Sequence, residues 1–312
     1  MTATHHSITI DEAIEKFKDY LTGQKHPPLT ITTYTKNVQY WKEWLERNVM
    51  LTQIEELSKE DVTEYLIALA KKGDGRPYNL SNTNSSSGLG ATTLKKKLAA
   101  IRKFSLFLVD SKYHTVDITY GIKSPRIPKR EPAFLNQQEY KTLLYEAQSR
   151  GKKRDYAILM TLLQCGLREN ELVKLTLEDV DLEKKELHLR NRKGGVDTDI
   201  PLPSPAVEAL EKWLEVRPNE NQHNQTFLSK TNRPLDERAI RYLVKFYMKR
   251  AGIKKQASAH TLRHTFGAFK SAKNVDLKTL QYWMGHKSPE TTLHYLHLVK
   301  KRAPELMEST IL

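Results

Sequence analysis

The chain of 312 residues is 38% hydrophobic and carries 51 Lys and Arg against 37 Asp and Glu, a formal net charge of +14. That length exceeds one typical domain, and no run approaches the ~18 apolar residues of a membrane span or forms the apolar core of a secretory signal, so a cytoplasmic two-domain protein is expected. The single cysteine, Cys165, excludes a disulfide framework and any zinc site built on paired cysteines; the basic balance points to a polyanion, most commonly nucleic acid, with a solvated basic surface as the alternative.

The first third reads as helical. Thr9 and Glu12 form a capping-box pattern ahead of Ala13, Ile14, Phe17 and Leu21, which recur at helical spacing. A second helix is predicted from Leu29 through Trp41, Trp44 and Leu45. A third starts at Ser58, with Asp61 as the capping residue and Val62, Tyr65, Leu66 and Leu69 as its apolar stripe. Gly, Asn and Ser accumulate between Lys72 and Gly90, which predicts a flexible loop. A fourth helix is predicted over 91–110, with Leu94, Leu98, Ile101, Phe104 and Leu108 inward and Lys95, Lys96, Lys97, Arg102 and Lys103 displayed. Each lysine singly is most simply a solvated side chain. Together with Lys123, Arg126, Lys129 and Arg130 close behind, they form a candidate phosphate-binding track. Pro125, Pro128 and Pro132 forbid helix there, so an extended linker is expected. The expected division is 1–115 helical DNA-binding domain, 116–132 basic linker and 133–312 catalytic domain.

The remainder alternates in character. Asn136 and Glu139 cap a helix, the apolar run 156–163 makes another, and Gly166 ends it just before Arg168, with Glu171 one turn on. Residues 186–190 alternate as a strand, 191–196 form a glycine-containing turn and 197–202 return as a strand, which puts Lys193 at a hairpin tip. Further helices are predicted over 204–213 and near 236–251, 261–273, 276–284 and 289–301, the last carrying Tyr295 on its second turn.

Several of these segments carry residue types that fit together chemically. Tyr295 stands nine residues after His286, itself in a Met284-Gly285-His286 turn. Upstream lie His260-Thr261-Leu262-Arg263-His264, Gly166-Leu167-Arg168 with Glu171, and Lys193. A tyrosine hydroxyl attacking a DNA phosphate builds charge on the non-bridging oxygens, which planar guanidiniums such as Arg168 and Arg263 meet with aimed donors. The departing 5' oxygen needs a proton, which Lys193 can supply, while His260 and His286 can bond phosphate oxygens and help move the phenolic proton. His260 and His264 are four apart, as in a zinc pair, but Thr261 stands where the zinc-protease signature needs glutamate, so metal binding is not expected and His264 reads as a packing residue.

On these motifs, in this order and spacing, with Lys193 eight residues before Pro201-Leu202, the chain resembles the tyrosine site-specific recombinases, the integrase family that includes Xer proteins, phage integrases and transposon resolvases. The resemblance implies a mostly α fold with a small antiparallel β element: an N-terminal helical, SAM-like core-binding domain and a C-terminal mixed α/β catalytic domain. It implies Tyr295 as nucleophile, Arg168 and Arg263 as the phosphate clamp, His260, His286 and Lys193 as the remaining catalytic residues, and Glu171 steadying the first arginine. It further implies no cofactor, double-stranded DNA with specific recombination sites as partner, and a tetramer acting through a Holliday junction, with a second recombinase or accessory proteins as further candidates. The alternatives are relaxation of DNA in the manner of a type IB topoisomerase, a DNA-binding accessory protein without catalysis, and a metal-dependent nuclease, for which no compact carboxylate and histidine cluster is apparent.

Overall fold

A computed structural model of the protein describes residues 8–72, 88–127, 132–190, 192, 196–218, 223–255, 258–293 and 295. It is mostly helical with one small antiparallel sheet, and it divides into two compact units, Met1–Lys129 and Arg130–Leu312. Among the described residues no helix is long and apolar enough to cross a membrane.

The first unit contains helices α1 (Ile10–Gly23), α2 (Pro28–Asn48), α3 (Lys59–Lys72) and α4 (Ala91–Asp110). The capping box forms as predicted: the Thr9 hydroxyl accepts from the Glu12 amide at 3.2 Å and the Thr9 amide donates to Glu12 at 2.8 Å. At α3 the cap is Ser58, whose hydroxyl accepts from the Asp61 amide, while Asp61 is the returning carboxylate of the box. Most of the Gly/Asn/Ser segment, 73–87, lies outside the described residues. All five predicted inward residues of α4 are buried, and Phe104 meets Phe17 edge-on at 5.3 Å between ring centroids. A fully buried side chain of this size contributes about 1.5–3 kcal/mol, and truncating Phe104 to alanine would cost about 3–5 kcal/mol because a cavity is added to the lost transfer energy.

The basic face of α4 differs in part from expectation. Lys95 and Lys96 are exposed, but Lys97 is buried. Position 97 is three residues after Leu94 and four before Ile101, so it falls on the apolar stripe itself. Its ammonium lies 4.9 Å from the Tyr40 ring centroid and 5.8 Å from that of Tyr65. Arg102 also turns inward, donating to Ser124 Oγ at 2.8 Å and to the Ile122 carbonyl, so it holds the following chain against the helix. Ile118 is buried in the same core and Ile122 packs on it. Lys123 and Arg126 are exposed, and Lys129 and Arg130 lie outside the described residues.

The second unit contains α5 (Gln137–Ser149), α6 (Lys153–Cys165), α7 (Glu169–Lys174), β1 (Val180–Asp181), β2 (Glu186–Leu189), β3 (Thr198–Pro201), α8 (Ser204–Leu214), α9 (Glu237–Arg250), α10 (Ala259–Ala272), α11 (Leu277–Met284) and α12 (Pro289–Leu293). Helix α6 is apolar nearly all round because α5, α8 and α10 pack on it. Cys165 is part of this core, and burial pushes its thiol up to about 12, as suits an inert side chain. The sheet order is β1-β2-β3, with Leu187 opposite Ile200 and Leu189 opposite Thr198. Leu187, Leu189 and Ile200 face the core, whereas His188 and Asp199 pair on the other face at 2.7 Å. Strand β1 is not predicted from sequence, since two residues are too few to display alternation. The last helix is described only to Leu293, and Tyr295 stands in a turn, its amide donating to the Thr292 carbonyl at 3.0 Å.

Candidate active site

Arg168 is positioned by the way α6 ends. Gly166 adopts φ +64°, and a Cβ there would come within 2.4 Å of the Phe266 ring, so both the backbone conformation and the close approach of α10 require glycine. The chain then buries Leu167 and delivers Arg168 as the cap of α7. The Arg168 amide donates to Glu171 Oε2 at 2.8 Å and its Nη1 to Glu171 Oε1 at 2.7 Å. Glu171 is reached by two further guanidiniums: Arg192 through Nε at 3.0 Å, and Arg263 at 3.8 Å. Burial alone would push the Glu171 carboxyl up, but the hydrogen bond and charge of Arg192, then those of Arg168, hold it below the usual carboxylate range. Glu171 is therefore an ionised hub beneath the arginines.

The same three arginines close the end of α11. Gly285 stops this helix with φ +57°. Side chains meet the carbonyls at this end: Gly285 is bonded by Arg168 Nη2 at 2.8 Å, Met284 by Arg263 Nη2 and Trp283 by Arg192 Nη1 at 3.0 Å, while Tyr282 accepts from the Gly285 amide at 3.0 Å and from Arg192 Nη1 at 3.3 Å. Helix carbonyl ends carry partial negative charge, so this terminus orients cations. Arg263 also donates to the Gly166 carbonyl at 2.6 Å, which joins the ends of α6 and α11 through one side chain. Burial and the charge of Arg168 push its guanidinium down, and Glu171 works against them. Three guanidiniums against one carboxylate leave the cluster electropositive, which is the field a phosphodiester needs.

Tyr295 is 2% exposed and packs on α10. A Cβ at Gly267 would stand 2.5 Å from its Cζ, so the ring occupies the space this glycine leaves. Its hydroxyl lies 2.7 Å from His264 Nδ1. Burial pushes the phenol up to about 12, with the charge of Arg263 acting in the opposite sense.

His286 follows Gly285, and its Nδ1 lies 2.9 Å from Thr292 Oγ1. Burial and then the charges of Arg263 and Arg168 push it down to about 3, so it is a neutral imidazole at neutral pH. His260 is exposed in the first turn of α10, whose cap Ser258 accepts from the Thr261 amide. Lys193 lies outside the described residues, so of the predicted set Arg168, Glu171, Arg263 and His286 are gathered directly, with Tyr295 and His260 on the flanks of α10. Among the described residues no group of three or more His, Cys, Asp or Glu side chains is gathered as a metal site would need.

Two residues escape the sequence reading. His264 reads as packing but meets the tyrosine hydroxyl, and Arg192, which falls in the predicted turn over 191–196, is buried against Glu171. The available signal for His264 is spacing: it lies three residues before Gly267, on the same face of α10. Arg192 offers none, because an arginine in a glycine-containing turn ordinarily faces solvent.

The sequence pattern of the phage integrase family matches residues 133–302, and that of the SAM-like N-terminal domain of phage integrases matches residues 14–112. The tyrosine recombinase XerC of Caldanaerobacter subterraneus subsp. tengcongensis is 32% identical over 295 residues, covering 91% of this chain and 82% of the relative. XerC of Haemophilus ducreyi is 30% identical over 289 residues, covering 91% and 89%. Among solved structures, a XerA recombinase is similar with a TM-score of 0.53 at 25% identity, covering 97% of this chain and 99% of that one. A lambda integrase dimer bound to a COC' core site shares the fold with a TM-score of 0.72 at 16% identity, covering 94% and 78%. With both of its domains matched and relatives alike over nearly its whole length, the chain belongs to the phage integrase family of tyrosine recombinases, enzymes of site-specific DNA recombination.

Proposed function

We propose that this recombinase cleaves one DNA strand at a time by attack of the Tyr295 hydroxyl on phosphorus. The P–O5' bond breaks, a 3'-phosphotyrosine forms, and the 5' oxygen takes a proton from Lys193. Arg168 and Arg263 neutralise the non-bridging oxygens in the transition state, Glu171 orients Arg168, neutral His286 and His260 hydrogen-bond phosphate oxygens, and the phenolic proton passes to His264, whose Nδ1 lies 2.7 Å from the hydroxyl. Attack by the 5' hydroxyl of a partner strand reverses the chemistry, so the bond energy is retained in the phosphotyrosine. The observation that carries this reading is the convergence of Arg168 and Arg263 on Glu171 and on the end of α11, where a preorganised pair of guanidiniums costs no rearrangement as charge develops.

The division of labour we propose is 1–115 as DNA-binding domain, 116–132 as linker and 133–312 as catalytic domain. Lys95, Lys96, Lys123 and Arg126 contribute phosphate contacts, while Lys97 and Arg102 hold the fold. The substrate is double-stranded DNA bearing specific sites, and the protein acts in the cytoplasm. Lambda integrase has been seen as a tetramer bound to a Holliday junction, and we extend that assembly to this chain on the strength of the shared fold.

The test uses nicked duplexes from DNA flanking the gene of this protein, incubated in EDTA with wild type or Tyr295→Phe and run on a denaturing gel. A protein–DNA adduct formed by wild type alone is the expected result; no adduct despite specific binding in a native gel would overturn it. Relaxation of plasmid lacking a specific site would instead favour topoisomerase-like relaxation.

A further inference from the structure

Arg192 has no part in the mechanism above, yet it is built more deeply into the site than Arg168, at 3% side-chain exposure against 19%. Its Nε and Nη2 donate to the two oxygens of Glu171 at 3.0 and 3.3 Å, and its Nη1 serves the Trp283 and Tyr282 carbonyls. The guanidinium lies in a slot left by Gly285, where a Cβ would stand 2.7 Å from Arg192 Cζ. Its donors are thus turned inward and not toward a phosphate.

We infer that Arg192 is a positioning residue for the recombination chemistry: by pairing with Glu171 and with the Tyr282 and Trp283 carbonyls, it keeps the charges of Arg168 and Arg263 available to the scissile phosphate. A buried carboxylate must be paired. Glu171 stands 2.7 Å from Arg168, 3.0 Å from Arg192 and 3.8 Å from Arg263, so without Arg192 it would draw on the other two, using donors that the phosphate requires. The turn that delivers His286 would also lose two of its bonds to the hub.

The inference rests on the proposed chemistry, and the experiment separates the two. Covalent adduct formation is followed in single turnover for wild type, Arg192→Met and Arg192→Lys on an ordinary nicked duplex and on one whose scissile phosphate is a methylphosphonate, which lacks the charged oxygen the arginines neutralise. Arg192→Met is expected to slow the phosphodiester reaction on the order of 10²-fold with DNA affinity unchanged, since small misplacements of catalytic groups have effects of that size. Arg192→Lys is expected to fall between, and both deficits are expected to shrink on the neutral substrate. Equal deficits on the two substrates would make Arg192 a structural strut and overturn the inference, as would wild-type rates for Arg192→Lys and Arg192→Met, or unfolding of both variants. Absence of an adduct with wild type would instead count against the tyrosine chemistry.

Discussion

The hydroxyl of Tyr295 lies 2.7 Å from Nδ1 of His264, one residue along α10 from Arg263, and its ring fills the gap above Gly267. The proposed nucleophile and Arg263, one arginine of the proposed phosphate clamp, are thus set by the same helix. Gly267→Ala should lower stability by about 1–3 kcal/mol, because the new methyl meets the ring and the packed site cannot yield without strain. The penalty should vanish in a Tyr295→Ala background. Equal penalties in both backgrounds, measured by denaturant unfolding, would remove the ring from this position.

His286 should remain neutral across the range where histidines ordinarily titrate. With its folded value depressed to about 3 from the ordinary 6.5, it contributes stability that is fully present above about 6.5 and is lost as pH falls toward 3. The imidazole resonance assigned by comparison with His286→Gln should not shift between about pH 8 and pH 5, where an unperturbed histidine titrates. A midpoint near the ordinary value would refute the burial argument.

Neighbouring lysines on α4 should behave oppositely. Lys95→Ala and Lys96→Ala should each reduce the slope of log affinity against log salt by about 0.9, with folding unaffected, as loss of one phosphate contact does. Lys97→Ala should leave that slope alone and cost about 2 kcal/mol of stability through the lost contacts with Tyr40 and Tyr65. A lowered salt slope for Lys97→Ala at wild-type stability would return that residue to the DNA-facing set.

Lys193→Ala should slow cleavage of ordinary DNA and regain most of the loss on a substrate with a 5'-bridging sulfur, whose departure needs no proton. Persistence of the full deficit on the sulfur substrate would remove the general-acid role.

The elements were legible wherever a local signal existed. The Thr9 and Asn136 capping boxes, the αL glycines Gly166 and Gly285, and the apolar stripe of α4 are set by neighbours within one or two turns, so periodicity and turn chemistry locate them. Strand β1 is too short for such a signal, and Lys97 is buried because its place on the apolar stripe of α4 outweighs the preference of its residue type for solvent.

The sequence by itself pointed to the family and to the proposed chemistry, since Arg168, Glu171, Arg263, His286 and Tyr295 stand out by type, order and spacing. Tertiary structure alone decided what those residues touch. That Arg192 and Arg263 join Arg168 at Glu171, that all three arginines cap α11, and that His264 meets the tyrosine are contacts between segments 21 to 117 residues apart. Contacts at such separations are made by α10 packing on α6 in one buried cluster and on α11 in another, and no local pattern along the chain encodes which side chains that packing brings within hydrogen-bonding distance.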